Sequence, residues 1–108
     1  MKQVYNPYLP LTEFVPDGEP HLFDGRVYIY GSHDVPGGVK YCEGHYVTWS
    51  APENDLTDWR YEGVIYRRDQ DPSNADDKMQ LWAPDVTRGP DGRYYIYYCF
   101  SFYPEIGV

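Results

Sequence analysis

A seven-residue pattern occurs twice in this chain and constrains its fold more than anything else in it. Asp24-Gly25-Arg26-Val27-Tyr28-Ile29-Tyr30 returns 67 positions later as Asp91-Gly92-Arg93-Tyr94-Tyr95-Ile96-Tyr97. A Pro-Asp pair precedes each copy, Pro16-Asp17 and Pro84-Asp85, at an offset of 68. Each copy couples an Asp-Gly turn to a run of β-branched and aromatic residues, which reads as a hairpin. Self-similar groups of short strands at a fixed period are the signature of a β-propeller. The side-chain pattern agrees: Val27 and Ile29 lie on one strand face, Tyr28 and Tyr30 on the other. A strand apolar on both faces is covered on both faces, as a propeller blade is by its neighbours.

Further strand signals fill the first period. Tyr46-Val47-Thr48-Trp49-Ser50 supplies a third strand, and Trp59 to Glu62 with Val64-Ile65-Tyr66 a fourth, across a turn-rich link at 51–58. No sustained helical period appears. The expected organisation is therefore all-β: a lead-in at 1–15, a first blade at 16–66, an acidic loop at 67–80 and the start of a second blade at 81–108. At roughly 67 residues per blade the 108 residues hold about one and a half blades, whereas propellers close with 4 to 8. The chain reads as the N-terminal portion of one larger propeller domain. Standing alone, it would have to associate with itself or with the remainder of the wheel to cover its apolar face. The loop (RRDQDPSNADDKMQ) reads as a solvated linker. Counted from Asp69 as a calcium loop, it has Asn74 where Gly is needed and Gln80 where Glu is needed.

Charge narrows the function classes. Nine basic against 17 acidic residues give a net charge of −8, with no basic stripe to displace counterions from phosphates. Nucleic acid and anionic membrane surfaces are excluded as partners on this ground. No visible signal segment opens the chain, so the expectation as written is a cytoplasmic location. Two cysteines, Cys42 and Cys99, make no disulfide framework and are expected as buried thiols. The three histidines, His21, His33 and His45, do not form a metal-binding spacing, and no ligand cluster is legible.

The repeated Pro-Asp pairs give the chemistry. At the start of the first strand of successive blades, Asp17 and Asp85 would point toward one axial funnel. Carboxylates in an aromatic-rich concavity suit acid–base work on a neutral sugar, with rings to stack on its faces. The plainer alternative is that both only accept backbone N–H bonds at turns. Trp49 and Trp59, on outer strands, read as structural.

Three segments then carry a resemblance: NPYLPLTEFVPDGEPHLFDGRVYIYGSHD, YVTWSAPENDLTDWRYEG and LWAPDVTRGPDGRYYIYYCFS, in this order. They resemble the start of glycoside hydrolase family 43, the five-bladed β-propeller β-xylosidases, α-L-arabinofuranosidases and arabinanases, over nearly the whole chain. The resemblance implies inverting hydrolysis of arabinofuranosyl or xylosyl linkages in pentose-containing oligosaccharides or polysaccharides. It implies that Asp17 is the general base for water. It implies Trp82 as a stacking platform, Asp85 as a pocket-wall or supporting residue, and His33 and Asp34 as pocket-wall residues. The general acid and the carboxylate that tunes it belong to later blades in the family, so the isolated chain is expected to be inactive. No cofactor is expected within these residues; family members hold an axial calcium through later blades. Glu19 and Glu43 are not expected to be the acid. Glu19 stands two residues from Asp17, too near for the roughly 6.5–9.5 Å of an inverting pair. Two other readings remain: a non-catalytic sugar-binding or self-assembling partial propeller, and a related five-bladed hydrolase or transferase acting on fructosides.

Overall fold

The Asp24-Gly25 dipeptide forms the expected tight turn because both residues take positive φ, 49° and 79°, which matches the right-handed twist of the strands it joins. The computed structural model describes residues 6–108 and builds two antiparallel sheets. The first is a four-stranded meander of β1 (Glu19–Phe23), β2 (Arg26–Gly31), β3 (Tyr46–Pro52) and β4 (Arg60–Tyr66), paired in chain order. The second contains β5 (Leu81–Arg88), β6 (Tyr94–Phe100) and the short β7 (Ile106–Gly107). The fold is all-β, one complete propeller blade and the beginning of the next. The sheets meet along β5, which packs on β1 and β2.

Strand β3 shows why the first sheet holds. Residues Tyr46 to Ala51 are all buried, which requires cover on both faces. Trp49 is among them, its indole N–H donating to Glu13 Oε2 at 3.1 Å. Trp59 lies against Tyr8, ring centres 5.1 Å apart, and donates to the Leu56 carbonyl. Both tryptophans are thus bound into the scaffold. At the outer edge, β4 is bulged beside Gly63 (φ 112°), where its register against β3 shifts, and it carries an Arg60–Glu62 ion pair of 2.6 Å. A bulge and charges on an edge strand discourage pairing with another chain.

The core sits between the sheets. Tyr46, Leu81, Tyr98 and Phe100 are buried together, flanked by Tyr66, Met79 and Ile96. Tyr46 donates its hydroxyl to the Trp82 carbonyl at 2.6 Å. Burial pushes the Tyr46 phenol well above its ordinary range, so it stays neutral and remains a donor.

The 67–80 loop is exposed at most positions, as its composition suggested, yet it is ordered. It folds into two 3-10 turns, Arg68–Gln70 and Pro72–Asn74, and Asn74 is fully buried. The Asn74 amide donates to the Arg68 and Met79 carbonyls and accepts from the Met79 N–H, closing the loop on itself. Asp71 accepts from Ser73 and from the Tyr98 hydroxyl at 2.5 Å, tying the loop to the second sheet. Chiefly that Tyr98 bond, then those from Ser73, hold the Asp71 carboxyl below the usual carboxylate range. Composition did not announce this order because its anchor is one buried polar residue, Asn74, whose hydrogen-bond partners come from the fold of the loop itself.

The two hairpins of the repeat are consecutive but not identical. Phe23 pairs with Arg26 across a two-residue turn. In the second copy Arg88 pairs with Tyr94, so Asp91, Gly92 and Arg93 lie in a five-residue loop. The Pro-Asp pairs diverge further. Asp17 stands in a turn ahead of β1, whereas Asp85 lies inside β5, paired with Tyr97. The expectation that both open a first strand holds only for Asp17. The reason is the pairing of Leu81 and Trp82 with Phe100 and Cys99, which starts β5 ahead of its Pro-Asp pair, and a bulge between Trp82 and Asp85 then carries the strand past it.

Candidate active site

The turn carrying Asp17 is seated on two glycines. A Cβ on Gly31 would stand 2.3 Å from Val15 Cγ1 and 3.2 Å from the Pro16 carbonyl oxygen. One on Gly18 would stand 2.9 Å from Ile29 Cγ2. Only backbone without side chains allows the turn to lie this close to the end of β2. Asp17 itself has φ 55°, the left-handed region that Asp tolerates better than most residues, and its side chain is exposed. Among the described residues its carboxylate has neither a hydrogen bond nor an ion pair. The carboxylates of Glu13, Asp34 and Glu43 each accept a hydrogen bond, whereas, among the described residues, those of Asp17 and Glu19 do not.

Beyond Gly31 the chain builds the rest of this end of the sheet. Ser32, fully buried, accepts from the Ala83 N–H at 2.9 Å and so locks the end of β2 to the bulge in β5. His33 Nε2 stands 3.4 Å from Glu13 Oε2, and the Asp34 N–H donates to the Phe14 carbonyl. The lead-in segment is thereby held alongside residues 33–34. Asp34 Oδ1 accepts from the Cys42 N–H at 2.7 Å, so Asp34 pins the 35–42 loop. Cys42, buried, occupies the same corner. Burial pushes its thiol up, a hydrogen bond with Ser32 opposes this, and the carboxylates of Asp34 and Asp17 push it further up. Asp34 and Cys42 share this corner through their hydrogen bond, and the Asp17 turn approaches it at Gly31, next to Ser32.

Trp82 stands on the adjoining strand. Its ring meets Phe102 edge-on, with centres 5.4 Å apart, and lines a cavity of about 470 Å³. Its carbonyl accepts from Tyr46 and from Cys99 Sγ. Asp85 faces another way. Its Oδ1 is 2.6 Å from His21 Nε2 on β1 and also accepts from the Val86 N–H. His21 is in turn stacked on Phe23, ring centres 5.5 Å apart. The structure gathers Asp17, Asp34 and, one residue along the chain from each end of the Ser32–Ala83 bond, His33 and Trp82. It does not join Asp85 to Asp17 through any hydrogen bond or ion pair among the described residues.

Of the other carboxylates, Glu43 is committed to the 35–42 loop, accepting from the Val39 and Lys40 N–H groups at 2.9 and 2.5 Å. Glu13, Ser32 and Cys42 were not legible as site neighbours. Their roles arise from contacts between segments far apart in sequence, and no local motif announces them. Among the described residues no three His, Cys, Asp or Glu side chains come together in a group that could hold a metal ion.

The chain is 60% identical over 107 residues to a xylosidase/arabinosidase of Thermoclostridium stercorarium, a match that covers 99% of this chain and 23% of that protein. It is 32% identical over 96 residues to xylosidase/arabinosidase 43A of Humicola insolens, covering 79% of this chain and 27% of the relative. A xylosidase/arabinosidase of Bacteroides ovatus is 30% identical over 98 residues, 84% of this chain and 29% of its own length. The chain thus spans about a quarter of the length of the curated relatives it matches. No protein-family profile and no solved structure matches it.

Proposed function

We infer that this chain, whose sequence belongs with glycoside hydrolase family 43, forms the part of a hemicellulose-degrading glycosidase that activates water. The observation that carries this reading is the carboxylate of Asp17: exposed, without a partner among the described residues, and fixed by a turn wedged against Gly31. A general base must be free to accept a proton and held in place while it does so. In the reaction we propose, Asp17 accepts a proton from water as the water oxygen attacks the anomeric carbon. The glycosidic bond breaks on the opposite face, and the configuration inverts. The substrate is an arabinofuranosyl or xylosyl linkage, with Trp82 presenting a ring face to the sugar.

The proton for the leaving oxygen is supplied, on this reading, from outside residues 1–108. Glu43 supports that assignment because its carboxylate is occupied by backbone amides. Residues 16–66 are the first blade, 67–80 the connecting loop and 81–108 the opening of the second. His33 and Asp34 wall the sugar site, Asp34 through the loop it anchors at Cys42. Asp85 supports the wall from behind through His21.

The test is hydrolysis of aryl α-L-arabinofuranosides and aryl β-D-xylosides by the protein that carries this chain. Asp17→Asn lowers kcat by about 10²–10⁴-fold with the fold intact. NMR of the first product shows the inverted anomer. Undiminished turnover in Asp17→Asn removes this residue from the mechanism, and a retained anomer removes inversion.

A further inference from the structure

The segment that carries Asp17 belongs to neither sheet: residues 13–15 have no regular structure, and 16–17 form a turn. Among the described residues, one backbone hydrogen bond ties this segment to the rest of the fold, from the Asp34 N–H to the Phe14 carbonyl at 3.0 Å. Val15 adds its packing on Gly31. The third anchor is a side chain, that of Glu13, four residues ahead of Asp17. Its Oε2 accepts from the Trp49 indole N–H at 3.1 Å and stands 3.4 Å from His33 Nε2. Both partners are fixed points. Trp49 is buried in β3, in register with Ile29 on one side and Tyr61 on the other. His33 accepts at its carbonyl from the Gly44 N–H at 2.8 Å, and a Cβ on Gly44 would stand 2.9 Å from its Nδ1. The imidazole is therefore confined between Gly44 and the Glu13 carboxylate. An indole N–H can only donate and needs an acceptor where it is buried; an ionised carboxylate is the stronger kind. One carboxylate oxygen thus joins the Asp17 segment, the middle of the first sheet and the residue that walls the sugar site.

We propose that Glu13 is a positioning residue of this glycosidase, setting Asp17 at its working distance from the sugar by holding residues 13–17 against Trp49 and His33. This rests on the reading of Asp17 as the base and deepens it. In this role Glu13 exchanges no proton. Its effect passes through Pro16, whose ring fixes φ, so that a displacement of residues 13–15 is handed on to Asp17 with little slack. Displacing a reacting group by about 1 Å costs up to about 10²-fold in rate. Reach is what such a role demands. Glutamine has the length of glutamate, and its amide oxygen still accepts from the indole; aspartate keeps the charge and falls one methylene short.

The test is steady-state kinetics of the protein carrying this chain on aryl α-L-arabinofuranosides and aryl β-D-xylosides, with thermal midpoints measured alongside. Glu13→Gln keeps kcat within about threefold of the wild type, whereas Glu13→Asp and Glu13→Ala lower it by about 10–10²-fold. In an Asp17→Asn background, Glu13→Asp lowers kcat by less than about twofold, because no base is left to aim. Wild-type turnover in Glu13→Asp overturns the proposal. So does a Glu13→Gln that falls as far as Glu13→Asp, which would make the charge itself the agent. Equal losses from Glu13→Asp in the two backgrounds overturn it too, since a purely structural role lowers both alike. Should Glu13→Ala fail to fold, the Gln and Asp variants still decide. Undiminished turnover in Asp17→Asn sinks the base itself; an impaired Asp17→Asn beside an unimpaired Glu13→Asp sinks the positioning role alone.

Discussion

The two hairpins share a sequence pattern and part company in chemistry. Around the first, Pro16-Asp17 is thrown out on a turn ahead of β1, packed on Gly31, with its carboxylate unpartnered among the described residues. Around the second, Pro84 is buried and Asp85 runs within β5, its carboxylate taken by His21 and the Val86 N–H. A bulge between Trp82 and Asp85 separates the two outcomes. Repetition in sequence guarantees repetition of the sheet, because strand pattern and turn chemistry are local. It does not guarantee equivalence of a side chain, because one register shift moves it to a different neighbour.

The comparison breaks first at the carboxylates. Asn at position 17 abolishes turnover by orders of magnitude, as set out above, whereas Asp85→Asn lowers kcat by no more than about tenfold, since its role runs through His21. Equal losses in steady-state kinetics would mean that the two aspartates share a role after all. Next comes the seat of the turn. Gly31→Val drives a side chain into Val15 and Pro16, costing about 1–3 kcal/mol in chemical denaturation and lowering kcat with it. A variant as stable and active as the wild type would show that the turn does not depend on that close approach.

A smaller effect tests the joint between the sheets. A double-mutant cycle with His21→Ala and Asp85→Asn gives a coupling of only a few tenths of a kcal/mol, because the pair stands largely in water. Coupling above about 2 kcal/mol would mark a buried pair instead. The loop that links the two units adds a pH signature. The His45 Nδ1 accepts from the Arg68 N–H at 3.2 Å, which requires the neutral ring at that nitrogen. Burial first, then the Arg67 and Arg68 charges, lower its pKa from 6.5. The unfolded chain therefore takes up the proton first. Stability from this group is complete above pH 6.5 and falls as pH drops below it toward the lower folded value. In denaturation at a series of pH values, His45→Gln flattens that decline; an unaltered slope would assign it elsewhere.

Much of the architecture was legible. The Asp-Gly turn, the apolar strands on either side and the 67-residue offset all act locally, and the strands fall where those signals put them. Even the closing Ile106-Gly107 pairs onto β6. The ordered 67–80 loop was hidden because its order comes from Asn74 bonding within the loop and Asp71 bonding to Tyr98, and composition registers only polarity. In the candidate site, the motif marked Asp17 and Trp82. It could not mark Glu13, Cys42 or Phe102, which reach the site through tertiary contacts, nor foresee that His21 would take Asp85.

The most direct trial of the water-activating role of Asp17 is chemical rescue. In Asp17→Ala, removal of the carboxylate leaves space for a small anionic nucleophile that needs no base. With azide added, turnover of an activated aryl glycoside recovers, and the product is the glycosyl azide of inverted configuration. If Asp17→Ala hydrolyses the substrate at the wild-type rate, or if azide restores nothing while the variant remains folded and binds sugar, Asp17 is not the group that activates water.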